Sequence, residues 1–187
     1  EGIHSHEEQY PRFAEWMGVD PLSNEPLPFD IADPHFAQAY FEILHHPYEE
    51  QGVDFWWLDW QQGKLSSLPG LDPLGWLNHL HFYDLGRDGI KRPFIFSRWG
   101  GLGGHRYPIG FSGDTVIGWD ALDFQTGFTS TASNVGYGWW SHDIGGHMGG
   151  IEDDELYTRW VQFGVSEGVV LAASAPEGET GGLYLLS

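Results

Sequence analysis

The sequence predicts an α/β fold in which a parallel sheet is covered by helices. Three observations predict it: short apolar runs that end in a charged or polar residue, a helical stretch between one run and the next, and repetition of that unit along the chain. The run Val53-Asp54-Phe55-Trp56-Trp57-Leu58-Asp59 follows Gly52 and is almost continuously apolar, so it reads as a strand buried on both faces. Asp59, at its C-terminal end, is conspicuous there. Upstream, Asp33-Pro34 supplies an N-cap and an N1 proline for a helix whose stripe is Phe36, Ala37, Tyr40, Phe41 and Leu44. Asp72-Pro73 opens a second helix with Leu74, Leu77 and Leu80, stopped at Gly86.

A second strand is predicted over Pro93 to Ser97, ending at Arg98, and a third over Tyr107 to Phe111, ending in Ser112-Gly113-Asp114. A helix from about Asp120 to Ser133 follows. The fourth strand, near Tyr137 to Ser141, runs into His142-Asp143-Ile144-Gly145-Gly146. A last helix starts near Asp153 with Leu156, Tyr157, Trp160 and Phe163 on one side. Charged residues at strand ends are where barrel enzymes place their chemistry. Residues 1–165 are expected to form one domain; 166–187 is small-residue and Gly-rich without cap, stripe or alternation, and reads as a loose, divergent tail.

The bulk numbers narrow the function. A chain of 187 residues that is 41% hydrophobic and rich in aromatics is too apolar for a disordered polymer. Eight Lys and Arg against 27 Asp and Glu give a net charge of −19, which repels a phosphate backbone and an anionic membrane surface. Nucleic acid and membranes are therefore not expected partners. Cysteine is absent, which removes disulfides and thiolate metal sites and leaves the compartment undetermined. The opening EGIHSHEEQY has neither a basic nor an apolar leader region, and no apolar stretch reaches the ~20 residues of a membrane span.

Retaining cleavage of a glycosidic bond needs a carboxylate to attack the anomeric carbon and a carboxyl to protonate the leaving oxygen, about 5–5.5 Å apart. Asp59 and Asp114, at the ends of predicted strands, suit that pair. Asp59 lies among Trp56, Trp57 and Trp60, aromatic faces on which sugar C–H surfaces pack. Taken singly, each aspartate reads more readily as a helix cap or an ion-pair partner than as a catalytic group. Arg98 alone could be the counter-ion of Asp59 or Asp114, and Asp143 alone could be a turn residue.

The runs GVDFWWLDWQQG (52–63), RPFIFSRWGGLGGHRYPIGFSGDT (92–115) and YGWWSHDIGGHMGG (137–150) resemble the signature blocks of glycoside hydrolase family 31, the α-glucosidases and α-xylosidases. The resemblance extends over about Gly2 to Gly164. It implies a partial (β/α)8 TIM barrel, about strands 4 to 7 with flanking helices, acting on α-linked oligosaccharides or glycosides without a cofactor. It implies Asp59 as nucleophile, Asp114 as acid/base, and Arg98 and Asp143 as ligands of sugar hydroxyls. Trp57 joins the substrate-binding candidates. So do Phe111, where the family usually has Trp, and His147, where Phe is common; both bear on which sugar fits.

On that alignment Glu1 falls just beyond the third barrel strand, so the rest of the barrel is expected as the chain's partner. An eighth strand should bring an Arg and a His, which the tail does not contain. The expectation is an excerpt or an altered reading frame, and an isolated chain that turns over little. A sugar-binding remnant without turnover is the alternative. A metal site at His4, His6 and Glu7, or at His142, Asp143 and His147, is not favoured, because neither cluster sits on a predicted helix that would aim three ligands at one point.

Overall fold

A computed structural model describes residues 2–59, 62–98, 101–107 and 109–166, together with the backbone of Leu171–Ala172 and Tyr184–Leu185. It divides into two compact units, Glu1–Ile95 and Phe96–Ser187. Among the described residues no helix is long and apolar enough to cross a membrane.

In the first unit β1 (Gly2–Ile3) pairs antiparallel with β2 (Leu27–Pro28), and α1 (Tyr10–Trp16) buries Tyr10, Phe13 and Ala14. The Asp33 cap forms as expected: its carboxylate accepts from His35 N at 2.9 Å and starts α2 (Pro34–Ala39). That helix widens into a π-helical stretch (Tyr40–His45) and resumes as α3 (His46–Glu50). Pro47 explains the widening. It has no N–H to give Ile43, and its ring would crowd that carbonyl in α geometry. The wider turn rotates the apolar stripe, so Ile43 and His45 are buried where the sequence pattern pointed to Leu44.

Asp72 caps α4 (Pro73–Leu85), accepting from Leu74 N at 2.9 Å, and the helix ends at Gly86. Leu74 and Leu77 are buried as expected, but His81 rather than Leu80 continues the buried face. The strand preceding it is shorter than the sequence suggests: β3 covers Trp57–Leu58, and within Val53 to Asp59 only Leu58 is buried. Polar contacts hold the first half of the run. Lys91 Nζ donates to Val53 O at 3.3 Å and pairs with Asp54 at 3.6 Å, and the Trp56 indole donates to Glu49 at 2.8 Å.

Two buried histidines share this unit's aromatic core. His45 Nδ1 donates to Tyr40 O at 2.7 Å, and His81 Nε2 lies 3.1 Å from the Tyr40 hydroxyl, with the two imidazoles 4.7 Å apart. Burial lowers the His45 pKa to about 4 and the His81 pKa well below its ordinary value. Both are therefore neutral in the fold and accept protons on unfolding, so stability is fully present above the unfolded value of ~6.5 and is lost as pH falls toward 4. His45 alone contributes up to about 3 kcal/mol to that loss, at 1.36 kcal/mol per pKa unit. Asp143 in the second unit is raised to about 6 and works in the opposite sense, contributing stability below ~3.9 that is lost as pH rises through 6. Replacing His45 by Asn should therefore flatten the fall of the urea midpoint between pH 7 and 4.5. An unchanged slope would show that His45 does not titrate in this way.

In the second unit β4 (Phe96–Ser97), β5 (Ile109–Phe111) and β6 (Trp140–Ser141) lie parallel, with Phe96 opposite Ile109 and Gly110 opposite Trp140. Each is the C-terminal part of a longer predicted run. For β4 the cause is local, because Pro93 has no N–H for a ladder. The helix α5 (Trp119–Ser133) follows β5, and α6 (Asp154–Ser166) follows β6. Asp153 starts α6 by accepting from the amides of Glu155 and Leu156 at 2.9 and 3.0 Å. Leu156 and Trp160 of α6 pack with Leu122 of α5 and Ile144, with Phe163 against their edge. Tyr157, expected on the same face, is 45% exposed. Its ring instead covers Gly145, where a Cβ would come within 2.7 Å of it. Of the tail expected over 166–187, Ser166 closes α6 and the strands β7 (Leu171–Ala172) and β8 (Tyr184–Leu185) pair antiparallel; the rest lies outside the described residues.

Candidate active site

The C-terminal ends of the three parallel strands of the second unit deliver Arg98, Asp114 and Asp143. After β5 the chain turns at Gly113, whose φ of 92° lies in the left-handed region that a side chain would disfavour, and this turn presents Asp114. Arg98 Nη2 donates to Asp114 Oδ1 at 3.0 Å. The guanidinium is 4% exposed and sits 5.4 Å from the centre of the Phe111 ring. Phe111 is itself buried against Phe96, so in the second unit it underlies Arg98 rather than offering an open face. A buried cation needs such a partner, since an unpaired one would cost several kcal/mol, on the order of 3–5.

Asp143 follows β6 and is buried; its Oδ2 accepts from Thr115 N at 3.2 Å. Burial raises its pKa to about 6, against the opposing influence of His147, the Thr115 amide and Arg98. The segment after Asp114 is laced to the segment after Asp143. Thr115 O accepts from His147 N at 2.7 Å, Ile117 N donates to Met148 O at 3.0 Å, and Val116 and Met148 form a parallel bridge. Gly146, at φ 94°, permits this: a Cβ there would meet Ile117 Cγ1 at 2.7 Å. The His147 side chain is exposed at the edge of a cavity of about 500 Å³ that also involves Glu152, Asp154 and Tyr157. Arg98, Asp114 and Asp143 do not line that cavity, whereas His147 lies near enough to Asp143 to act against the rise of its pKa.

The remaining candidates belong to the first unit. Asp59 stands immediately after β3 and is half-buried, as is Trp57 within the strand. Trp60 lies outside the described residues, and Trp56 is engaged with Glu49. The structure thus brings Arg98, Asp114, Asp143, Phe111 and His147 together in one unit and places Asp59 and Trp57 at a strand end of the other.

Spacing along the chain gave no hint of two further clusters. His142 is 1% exposed, and both ring nitrogens face hydroxyls, Nδ1 to Ser112 at 2.9 Å and Nε2 to Thr129 at 3.0 Å. In the first unit, His46, Glu49 and Asp84 offer ligand atoms within 4.8 Å of one another. Arg87 already supplies positive charge there, at 2.6 Å from Glu49 and 3.2 Å from Asp84, and would compete with a metal ion. His46 is 38 residues from Asp84, and Glu49 is 38 residues from Arg87, which is why no local motif announces the cluster. At the other suggested metal cluster, Glu7 accepts from His4 N at 2.9 Å and the His4 and His6 rings stack.

Residues 3–171 match the model of the glycosyl hydrolases family 31 TIM-barrel domain. The chain belongs to this family of glycoside hydrolases, and its alternating strands and helices are part of a (β/α)8 barrel. An alpha-xylosidase of Emericella nidulans is 34% identical over 77 residues, which is 41% of this chain and 10% of that protein. A probable alpha-glucosidase of Oryza sativa subsp. japonica is 33% identical over 152 residues, 80% of this chain and 17% of that one. The fold is similar to that of a family 31 alpha-xylosidase from a soil metagenome solved with xylose, at 22% identity and a TM-score of 0.60, covering 88% of this chain and 29% of that one. The chain thus spans a small part of the length of these relatives.

Proposed function

We propose that a complete barrel carrying these residues hydrolyses α-glucosides or related α-linked oligosaccharides with retention, Asp59 serving as nucleophile and Asp114 as acid/base. A carboxylate oxygen of Asp59 attacks the anomeric carbon while the bond to the leaving oxygen breaks and Asp114 gives that oxygen its proton. Water then attacks the glycosyl-enzyme, losing a proton to Asp114 as the bond to Asp59 breaks. No cofactor is required by this chemistry. The observation that carries the reading is the convergence of Arg98, Asp114 and Asp143 at the ends of three neighbouring parallel strands, the face on which barrel enzymes hold substrate. Relatives named alpha-xylosidase and alpha-glucosidase support the substrate class.

Arg98 and Asp143 are assigned to sugar hydroxyls, with Arg98 exchanging part of its contact with Asp114 for substrate. Trp57 offers a stacking face, Phe111 backs Arg98, and His147 borders the sugar. The test is hydrolysis of a nitrophenyl α-glucoside and α-xyloside by the complete barrel, with retention followed by NMR of the first-formed anomer. Binding of the sugar without release of nitrophenol would instead favour a sugar-binding remnant. Residues 1–187 alone are expected to turn over little or nothing, because a closed barrel takes about 250 residues and open strand edges favour association. A monodisperse, active monomer on size-exclusion chromatography would overturn that expectation.

A further inference from the structure

We propose that His142 is a positioning residue for the acid/base carboxyl, its imidazole tying the Ser112-Gly113-Asp114 turn to Thr129 of α5. The inference rests on the reading of Asp114 given above and deepens it. Asp114 sits on a glycine turn, and two adjacent residues after β6 hold that turn from both flanks. His142 Nδ1 meets Ser112 Oγ at 2.9 Å on one side, and Asp143 Oδ2 accepts from Thr115 N at 3.2 Å on the other. Backbone contacts run the same way, with Ser112 N donating to Ser141 O at 3.1 Å.

The far end of the ring is equally committed. Thr129 Oγ1 lies 3.0 Å from His142 Nε2, whereas Thr126, Ser130 and Thr131 on the same helix turn their hydroxyls back onto helix carbonyls. A neutral imidazole donates from one nitrogen and accepts at the other, and two hydroxyls can satisfy either tautomer. Burial, which lowers His142 to about 4, keeps the ring in that neutral form. Such a buried, doubly bonded ring fixes its partner's position more firmly than a single surface contact would. Because a reacting group displaced by about 1 Å can lose ~10²-fold in rate, freeing one flank of the turn should be felt in the proton transfer.

The test compares two substrates in the complete barrel: an α-linked disaccharide, whose leaving oxygen needs a proton, and α-glucosyl fluoride, whose leaving group does not. His142→Ala should lower kcat/KM on the disaccharide by about 10²-fold and change that on the fluoride only a few-fold. His142→Asn, whose amide can still reach Ser112, should restore most of the loss. Ser112→Ala leaves the ring packed and should reproduce the selective defect if His142→Ala fails to fold. Equal losses on both substrates, or a melting temperature that falls while both rates hold, would overturn the positioning role. If the unsubstituted enzyme hydrolyses neither substrate, the functional reading itself fails, and this inference with it.

Discussion

Replacing Asp59 by Ala in the complete barrel is expected to lower kcat on α-glucosides by on the order of 10⁴-fold or more, the scale seen when a nucleophile that works as part of a unit is removed. Asp59 follows directly on β3, so its backbone is set by a strand rather than by a free loop. The loss should come with a change of product. With the carboxylate gone, azide can occupy its place and attack α-glucosyl fluoride from the β face, giving the β-glucosyl azide. In the unsubstituted enzyme a fluorosugar inactivator that forms a slowly hydrolysed glycosyl-enzyme should label the peptide that contains Asp59. A label elsewhere, or a variant that azide does not rescue, would remove Asp59 from the nucleophile's role.

Much of this was legible in the sequence, and the limits are physical. Helix starts were readable because Asp-Pro at 33–34 and 72–73 carries its cap in the local sequence, and both carboxylates accept the amides expected of them; Asp153, expected only near the start of the last helix, caps it in the same way. Strand extents were not. An apolar run such as 53–59 states that burial is available, whereas ladder length depends on Lys91 drawing Val53 and Asp54 aside and on a proline at position 93. The π-helical stretch was hidden for a similar reason: Pro47 marks a conflict but does not say whether the helix will kink, stop or widen. The candidate site was legible as motif blocks, which single out Asp114, Arg98 and Asp143 by residue type. Their geometry was not, since which carboxylate Arg98 pairs with, and that Asp143 holds the Thr115 amide, are relations between strands. His142 lay in full view within a block, yet nothing in the order of residues shows that its ring spans Ser112 and Thr129.

For Asp114→Ala the expected result differs in kind from that for Asp59. A general acid contributes about 10²–10⁴-fold, and only where the leaving group needs a proton. A disaccharide should therefore lose about that factor in kcat/KM, while α-glucosyl fluoride should form the glycosyl-enzyme almost as before and then stall at hydrolysis for lack of a base. Azide needs no base and should release the stalled intermediate by attack on the α face, giving α-glucosyl azide, the opposite anomer to that expected from Asp59→Ala. Arg98 supplies an internal control. Its guanidinium is buried and bonds Asp114 at 3.0 Å, so the alanine variant should also lose stability by roughly 1–3 kcal/mol, the cost of removing one hydrogen-bond acceptor from a buried charged donor. Asp114→Asn keeps an acceptor for Arg98 and should recover part of that stability without recovering activity on the disaccharide. Stability and activity returning together would make Asp114 a structural counter-ion of Arg98. The same azide anomer from both variants would mean that the two aspartates do not stand on opposite faces of the sugar.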